Sequence, residues 1–177
     1  TERKNPDAKQ SIIDQADVVV LCLPDDAARE AVRNTKNTHT RFIDASTAHR
    51  VNSDWTYGMP ELMPGQRDAI ASARLVSNPG CYPTGFLAAV KPLMSTGLLA
   101  RNALMSISAI SGYSGGGRQL IEKYESEGTK WPARPYSLPL KHKHVPEMTM
   151  YADISTSPLF MPVVGHFYKG MLVSVPI

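Results

Sequence analysis

The sequence predicts an α/β fold, with a parallel sheet in its first part and a sheet-rich α+β part, mostly antiparallel, after it. Three observations carry this. Val18-Val19-Val20-Leu21-Cys22-Leu23 is an unbroken apolar run, the pattern of a parallel strand covered on both faces. Strand-like, helix-like and again strand-like sequence succeed one another between Val18 and Asp44, which is the order of a βαβ unit. After Gly97 the character changes to a longer strand, a glycine-rich loop and two late strands separated by Gly165-His166-Phe167-Tyr168-Lys169. Those last two read as part of an antiparallel sheet rather than another βαβ unit.

Residues 1–10 are polar and show no period, and 11–15 close a helix or a turn. Asp17 leads into the first strand, which Pro24-Asp25-Asp26 ends. Asp25 or Asp26 is expected to cap a helix over 27–33. The second strand is Arg41-Phe42-Ile43-Asp44. The stretch 55–65, rich in Pro and Gly, reads as loop, with a helix over 64–73. A third strand, Leu75-Val76-Ser77, points at Cys81. A helix is expected over 84–96, where Pro92 should kink it or mark a new turn. Then come a strand over 103–110, a glycine-rich loop over 111–118 and a helix over 119–127. The proline-rich stretch 131–139 is left without an element. The last strands fall over 160–164 and 170–175, and the division between the two parts is placed near residue 83.

The 177 residues are 42% hydrophobic and 20% charged, which fits a packed core without disulfide staples and excludes disorder. The formal charge of +3 is mild, and basic residues are scattered apart from Lys141-His142-Lys143-His144. That argues against a nucleic-acid partner and for a small anionic ligand. Cys22 and Cys81 are far apart in sequence, so free thiols and a cytoplasmic setting are expected. No apolar run reaches the length of a membrane span and no signal peptide opens the chain, so no membrane partner is expected. The chain does not begin with Met and is read as a piece of a longer protein.

Four constellations carry chemistry. In Asn78-Pro79-Gly80-Cys81 a strand and a tight turn deliver a cysteine to the start of an apolar, helix-capable run. Unpaired N–H groups and the positive end of the helix dipole favour a thiolate there, the form that acts as a covalent nucleophile. The competing reading is a buried cysteine acting as a small hydrophobe. His142-x-His144, followed by Val145-Pro146-Glu147, puts two imidazoles on one face if the segment is extended. They read as acid–base groups beside Cys81, as an inert surface pair, or as metal ligands. No third ligand completes a metal set, so no metal is expected. Glu147 orients an imidazole, binds a substrate amine, or simply sits at a helix N-terminus. Ser111-Gly112-Tyr113-Ser114-Gly115-Gly116-Gly117-Arg118 exposes backbone N–H groups and ends on a guanidinium suited to phosphate or carboxylate. It is neither a Walker loop nor a dinucleotide fingerprint, and the alternative is a flexible loop. Lastly, the ends of the first two strands, Leu23-Pro24-Asp25-Asp26 and Asp44-Ala45-Ser46-Thr47-Ala48-His49-Arg50, lie where doubly wound sheets bind ligands, with helix capping as the competing role for Asp25 and Ser46.

Taken in order, Asp17 to Ala28, Ile43 to Arg50, Tyr57-Gly58-Met59-Pro60-Glu61-Leu62, Asn78 to Cys81, Ser111 to Arg118, His142 to Glu147 and Gly170 to Pro176 resemble the N-acetyl-γ-glutamyl-phosphate reductases, in particular their shorter, type 2 branch. The resemblance implies a partial Rossmann-like dinucleotide-binding domain over 1–83 and a partial catalytic, substrate and dimerisation domain over 84–177. It implies NADPH-dependent reduction of an acyl phosphate to a semialdehyde in arginine biosynthesis. The cofactor is NADP and the assembly a homo-oligomer. Cys81 matches the nucleophile that forms a thioester. His144 or His142, with His144 favoured, matches the acid–base group. Arg118, Asn78 and Glu147 fall to the substrate, and Pro24, Ser46, Ser111 and Gly112 to the cofactor. The family also opens with a strand and a Gly-x-x-Gly-x-x-Gly turn and continues beyond a Val-Pro-Ile sequence. This chain has no such turn before Asp17 and ends on Val175-Pro176-Ile177, so a fragment with impaired dinucleotide affinity is expected. The alternatives are an aspartate-semialdehyde dehydrogenase-like reductase and a fragment serving only assembly.

Overall fold

The computed structural model describes residues 5–126 and 132–177. Two parts of the expected elements, Glu127 at the end of a helix and Trp131 at the start of a loop, lie outside the described residues, as do residues 1–4. The chain divides into two compact units, Thr1–Gly80 and Cys81–Ile177.

The first unit begins with α1 (Pro6–Gln15), where the Asn5 side chain caps two backbone N–H groups and Pro6 occupies the first turn. Strand β1 (Val18–Leu21), helix α2 (Asp25–Asn34) and strand β2 (Arg41–Asp44) follow, then the two-residue strand β3 (Thr56–Tyr57), α3 (Gln66–Ser72) and β4 (Leu75–Ser77). The strands form one sheet in the order β1-β2-β4-β3, parallel throughout. Its core is Ile13, Leu21, Ala28, Ala31, Phe42 and Trp55, with Val19, Val32, Ala48 and Leu75 packed against it. Phe42 is fully buried, a burial that stabilises by about 2–3 kcal/mol.

The expectation that β1 is covered on both faces fails on one of them. Leu21 is buried, whereas Val18, Val20 and the neighbouring Ile43 are exposed; Ile13 of α1 and Ala28 and Ala31 of α2 share the core with Leu21 and Phe42. The capping expectation also gives way. Pro24 holds the N-cap position of α2 with no side-chain cap bond. Asp25 instead accepts hydrogen bonds from the Thr47 backbone N–H (3.0 Å) and hydroxyl (2.5 Å), tying together the loops that leave β1 and β2.

The second unit begins with α4 (Cys81–Ser95), which starts at the cysteine itself and continues three residues past Pro92. Strand β5 (Ser106–Gly112) runs into a single 3-10 turn (Tyr113–Gly116) and α5 (Arg118–Ser126). The glycine-rich stretch is therefore mostly regular structure, with Gly117 at φ 76° between turn and helix, a conformation that favours glycine. Then come β6 (Ala133–Pro135), α6 (Val145–Ala152), β7 (Leu159–Gly165) and β8 (Met171–Ser174).

The sheet order is β6-β7-β5-β8. Two of its pairings, β5 with β8 and β6 with β7, are antiparallel. The central one, β5 with β7, is parallel over seven residue pairs. The last two strands thus share a sheet without pairing to each other, because β5 lies between them. Phe160, Ile107 and Ala109 on one sheet face are buried with Phe86, Leu87 and Val90 of α4 and Met148 and Ala152 of α6. On the opposite face Leu159, Met161 and Leu172 are exposed. Among the described residues no helix is long and apolar enough to cross a membrane.

Candidate active site

Cys81 is the first residue of a fifteen-residue helix, exposed and not in a disulfide. Its sulfur is therefore offered at the end of α4 where the dipole and unsatisfied N–H groups attract negative charge. The next residue, Tyr82, turns inward and is 2% exposed. A buried phenol needs partners for its hydroxyl, and Tyr82 has two. It donates to Ser111 Oγ at the end of β5 (2.8 Å) and accepts from the Tyr136 hydroxyl (3.2 Å).

Both histidines of the His-x-His pair face this phenol. The Tyr82 ring centroid lies 5.9 Å from that of His142 and 5.9 Å from that of His144. The imidazoles are 4.6 Å apart, nearly perpendicular. Phe160 of β7 closes the cluster, 5.0 Å from Tyr82 and 5.1 Å from His142, and Tyr136 stands 5.6 Å from His142. The pair reaches this shared site by a route other than the expected extended segment. His144 is helical in conformation (φ −87°, ψ −13°) as the residue before α6. Its backbone N–H donates to Nδ1 of His142 (3.1 Å), and the Val145 N–H donates to the His142 carbonyl (3.0 Å). A turn rather than strand alternation brings the rings together.

Burial, then the charge of neighbouring Lys143, lowers the pKa of His142, so its neutral form prevails at neutral pH. With Nδ1 accepting a backbone hydrogen bond, the proton of that neutral ring sits on Nε2. Burial, the hydrogen bond to Tyr82 and the negative charge that Tyr82 and Cys81 can carry push the Tyr136 phenol far above its usual range. Tyr136 therefore remains a proton donor in this cluster.

The remaining candidates fall as follows. Ser111 belongs to the hydroxyl chain, and Gly112 follows it. A Cβ on Gly112 would stand 2.6 Å from the Tyr168 carbonyl oxygen and 2.7 Å from that of Phe167, so the close approach of the turn over 167–169 by itself requires glycine at this position. Glu147, in the first turn of α6, is 1% exposed. Burial and the Glu147 carboxylate push the Tyr151 phenol up to about 12. Arg118 begins α5 on the surface, its guanidinium held by Glu122 at 2.6 Å.

Pro24, Ser46 and Asn78 belong to the first unit, at the carboxyl ends of its parallel strands. Pro24 and Asn78 are exposed. The Asp44 carboxylate, wholly buried, accepts from the Ser46 N–H (2.9 Å) and hydroxyl (2.8 Å) and is 2.6 Å from His49 Nδ1. His49 stacks on Trp55 at 4.0 Å. Arg50 donates to the carbonyls of Asn78 and Ala45, and the Asn78 N–H donates to the Asp44 carbonyl. This hydrogen-bonded edge of a parallel sheet fits the place where a dinucleotide binds. The start of α2 fits a pyrophosphate poorly, because Asp25 and Asp26 fill its first turn. Among the described residues no group of three or more His, Cys, Asp or Glu side chains is placed to hold a metal.

Tyr82, Tyr136 and Trp55 are given no role by the sequence reading, and His49 stands in it only as part of the segment that ends the second strand. A hydroxyl-bearing aromatic directly after the cysteine is the one local signal that could have singled out Tyr82.

Residues 81–177 match the semialdehyde dehydrogenase dimerisation domain and residues 2–73 the semialdehyde dehydrogenase NAD binding domain. The N-acetyl-gamma-glutamyl-phosphate reductase of Trichormus variabilis is 48% identical over 184 residues, taking in 100% of this chain and 57% of that protein. The protein of the same name from a Chelativorans species is 51% identical over 176 residues, 99% of this chain and 57% of the relative. Among solved structures, aspartate semialdehyde dehydrogenase II from Vibrio cholerae superposes with a TM-score of 0.71 at 16% identity, over 92% of this chain and 55% of that one. At that identity the likeness speaks for the fold alone. The chain spans somewhat over half the length of the curated relatives it matches.

Proposed function

The chain belongs to the semialdehyde dehydrogenase family, and on that premise we propose that its protein is an NADPH-dependent N-acetyl-γ-glutamyl-phosphate reductase. The reaction yields N-acetylglutamate semialdehyde and inorganic phosphate. The observation that carries this reading is the site in the second unit. A cysteine opens a helix there, and the residue after it packs against two imidazoles. Identity of 48–51% to reductases of that name over nearly the whole chain supports the substrate.

In this mechanism the Cys81 thiolate attacks the acyl carbon. The carbon–oxygen bond to phosphate breaks, phosphate leaves and a thioester on Cys81 remains. NADPH, when bound, supplies the hydride that reduces this thioester. The resulting thiohemiacetal gives its hydroxyl proton back to His144 and releases the semialdehyde as the carbon–sulfur bond breaks, and the sulfur leaves as thiolate. His144 takes the thiol proton at the outset and returns a proton to the developing oxyanion. The His142 tautomer supports that division of labour. With Nδ1 engaged and Nε2 protonated, His142 is a hydrogen-bond donor rather than a base. Pro24 and Ser46 in the first unit, and Ser111 and Gly112 in the second, are the proposed cofactor contacts. Asn78, Arg118 and Glu147 are those proposed for the substrate. The exposed apolar face of the second sheet serves a second copy of the chain, and the protein works in the cytoplasm.

The test is phosphate-dependent reduction of NADP by N-acetylglutamate semialdehyde with the full-length protein, run beside aspartate semialdehyde. Activity with the first substrate and its loss in Cys81→Ser are expected. Preference for the aspartyl compound would reject the substrate, and activity surviving Cys81→Ser would reject the covalent route.

A further inference from the structure

Tyr82 joins three segments that each carry a proposed site residue. It follows Cys81 in the first turn of α4, its hydroxyl reaches Ser111 at the end of β5, and it accepts from Tyr136, which precedes the two histidines. Its ring is fixed on two further sides. Phe160 meets it edge-on at 5.0 Å, and both imidazoles stand 5.9 Å away. A phenol held by two hydrogen bonds and a perpendicular aromatic has little rotational freedom. Neither imidazole can then swing toward Tyr82 without meeting a wall that does not yield.

A core aromatic with no further part to play would need only the ring, and phenylalanine would fill the same volume. What exceeds that requirement is the hydroxyl chain, whose two links cross between segments far apart in sequence. Each link ties the start of α4 to another part of the site. We propose that Tyr82 is a positioning residue for the acyl-phosphate chemistry: its ring sets the orientation of His142 and His144, and its hydroxyl, strung between Tyr136 and Ser111, keeps that ring in register with Cys81. The proposal rests on the reductase reading above. It assigns Ser111 a part in this chain as well as its suggested contact with cofactor.

The groups facing His142 are Lys143 beside it in the chain, His144 across the turn, and the Tyr82 and Tyr136 phenols. Burial and then the charge of Lys143 hold the ring toward its neutral form, and the Tyr82 ring, with its centroid 5.9 Å away, is among the groups packed around it. Removing the ring therefore acts on His142 in a known direction.

The experiment uses the full-length protein and three variants, Tyr82→Phe, Tyr82→Leu and Ser111→Ala, each checked for folding by thermal unfolding. The His142 titration is followed by imidazole NMR, and kcat and KM by phosphate-dependent NADP reduction. Tyr82→Leu admits water, so the His142 pKa is expected to rise toward its ordinary value. Tyr82→Phe and Ser111→Ala keep the ring but cut the chain. Both are expected to lower kcat on the order of tenfold with KM little changed. An unmoved His142 titration in folded Tyr82→Leu, or wild-type kcat in folded Tyr82→Phe, would overturn the proposal. If Tyr82→Leu does not fold, Tyr82→Phe decides by the same kcat criterion. An inactive wild-type protein would instead reject the reductase reading, while the NMR titration still reports whether Tyr82 sets the surroundings of His142.

Discussion

Replacing Gly112 with alanine separates two uses of a glycine beside the proposed site. If the residue is glycine so that a ligand can approach, the fold should tolerate a methyl group and binding should suffer. The structure gives a different reason. The new Cβ would lie 2.6 Å from the Tyr168 carbonyl oxygen, 2.7 Å from that of Phe167 and 2.8 Å from the Lys169 nitrogen. All three are backbone atoms, so no side-chain rotation relieves the clash. The turn over 167–169 would have to withdraw by roughly half an ångström, and that turn is tied down. Gly112 N–H donates to Gly170, Tyr113 N–H to Phe167 and Ser114 N–H to Tyr168, each at 3.0 Å. Losing two of these bonds costs about 1 kcal/mol each, and overpacking adds about 1–3 kcal/mol. Alanine returns roughly 0.5–1 kcal/mol by restricting the unfolded chain. The net is a destabilisation of about 2–4 kcal/mol, which at this size lowers Tm by on the order of 10 °C. Differential scanning calorimetry of the full-length protein and Gly112→Ala measures it. A Tm within about 2 °C of wild type, together with lost dinucleotide binding, would refute the packing argument and restore the ligand-approach reading.

Three further outcomes are expected. Asp44→Ala leaves His49 Nδ1 without its carboxylate in a buried setting and should cost about 3 kcal/mol. Urea unfolding would show this as a lower midpoint at unchanged slope, and a loss under about 0.5 kcal/mol would contradict it. His142 has a lowered folded-state pKa, so the unfolded chain binds more protons between that value and the ordinary one near 6.5. Stability contributed by this group therefore rises with pH through that window and is lost as pH falls below about 6.5. His142→Gln should flatten this part of the unfolding free energy against pH, and an unchanged slope would count against the shift. Leu159, Met161 and Leu172 lie exposed on one sheet face, an apolar surface that suits association. Met161→Glu should move the protein toward monomers in light scattering, and an unaltered mass would place the interface elsewhere.

Elements written in local pattern were legible. The apolar run at Val18, the short strand at Arg41–Asp44 and the strand before Cys81 all fall where the periodicity placed them. Only the end of α1, over 11–15, was legible as helix or turn although Asn5 and Pro6 are a cap and a first-turn proline, because its polar sequence hides the buried Ile13. β3 and β6 are two and three residues long. They exist through pairing with β4 and β7, which no local pattern encodes. The parallel pairing of β5 with β7 is likewise a long-range choice. At the site, Cys81 and the two histidines were legible as residue types in suggestive contexts, and both imidazoles stand against Tyr82, the residue that follows Cys81. Tyr82, Tyr136 and the Asp44–His49–Trp55 stack were not. Their roles come from contacts between segments distant in sequence, and a tyrosine alone does not announce its hydroxyl partners.

In the proposed mechanism Cys81 bonds covalently to the substrate during turnover, and withholding phosphate traps that bond. Semialdehyde and NADP are mixed with the full-length protein in phosphate-free buffer, and the Cys81 peptide is weighed. A burst of NADPH equal to the protein present, then arrest, is expected, with an N-acetylglutamyl group on Cys81. Steady turnover without phosphate, or an adduct on any other residue, would contradict it.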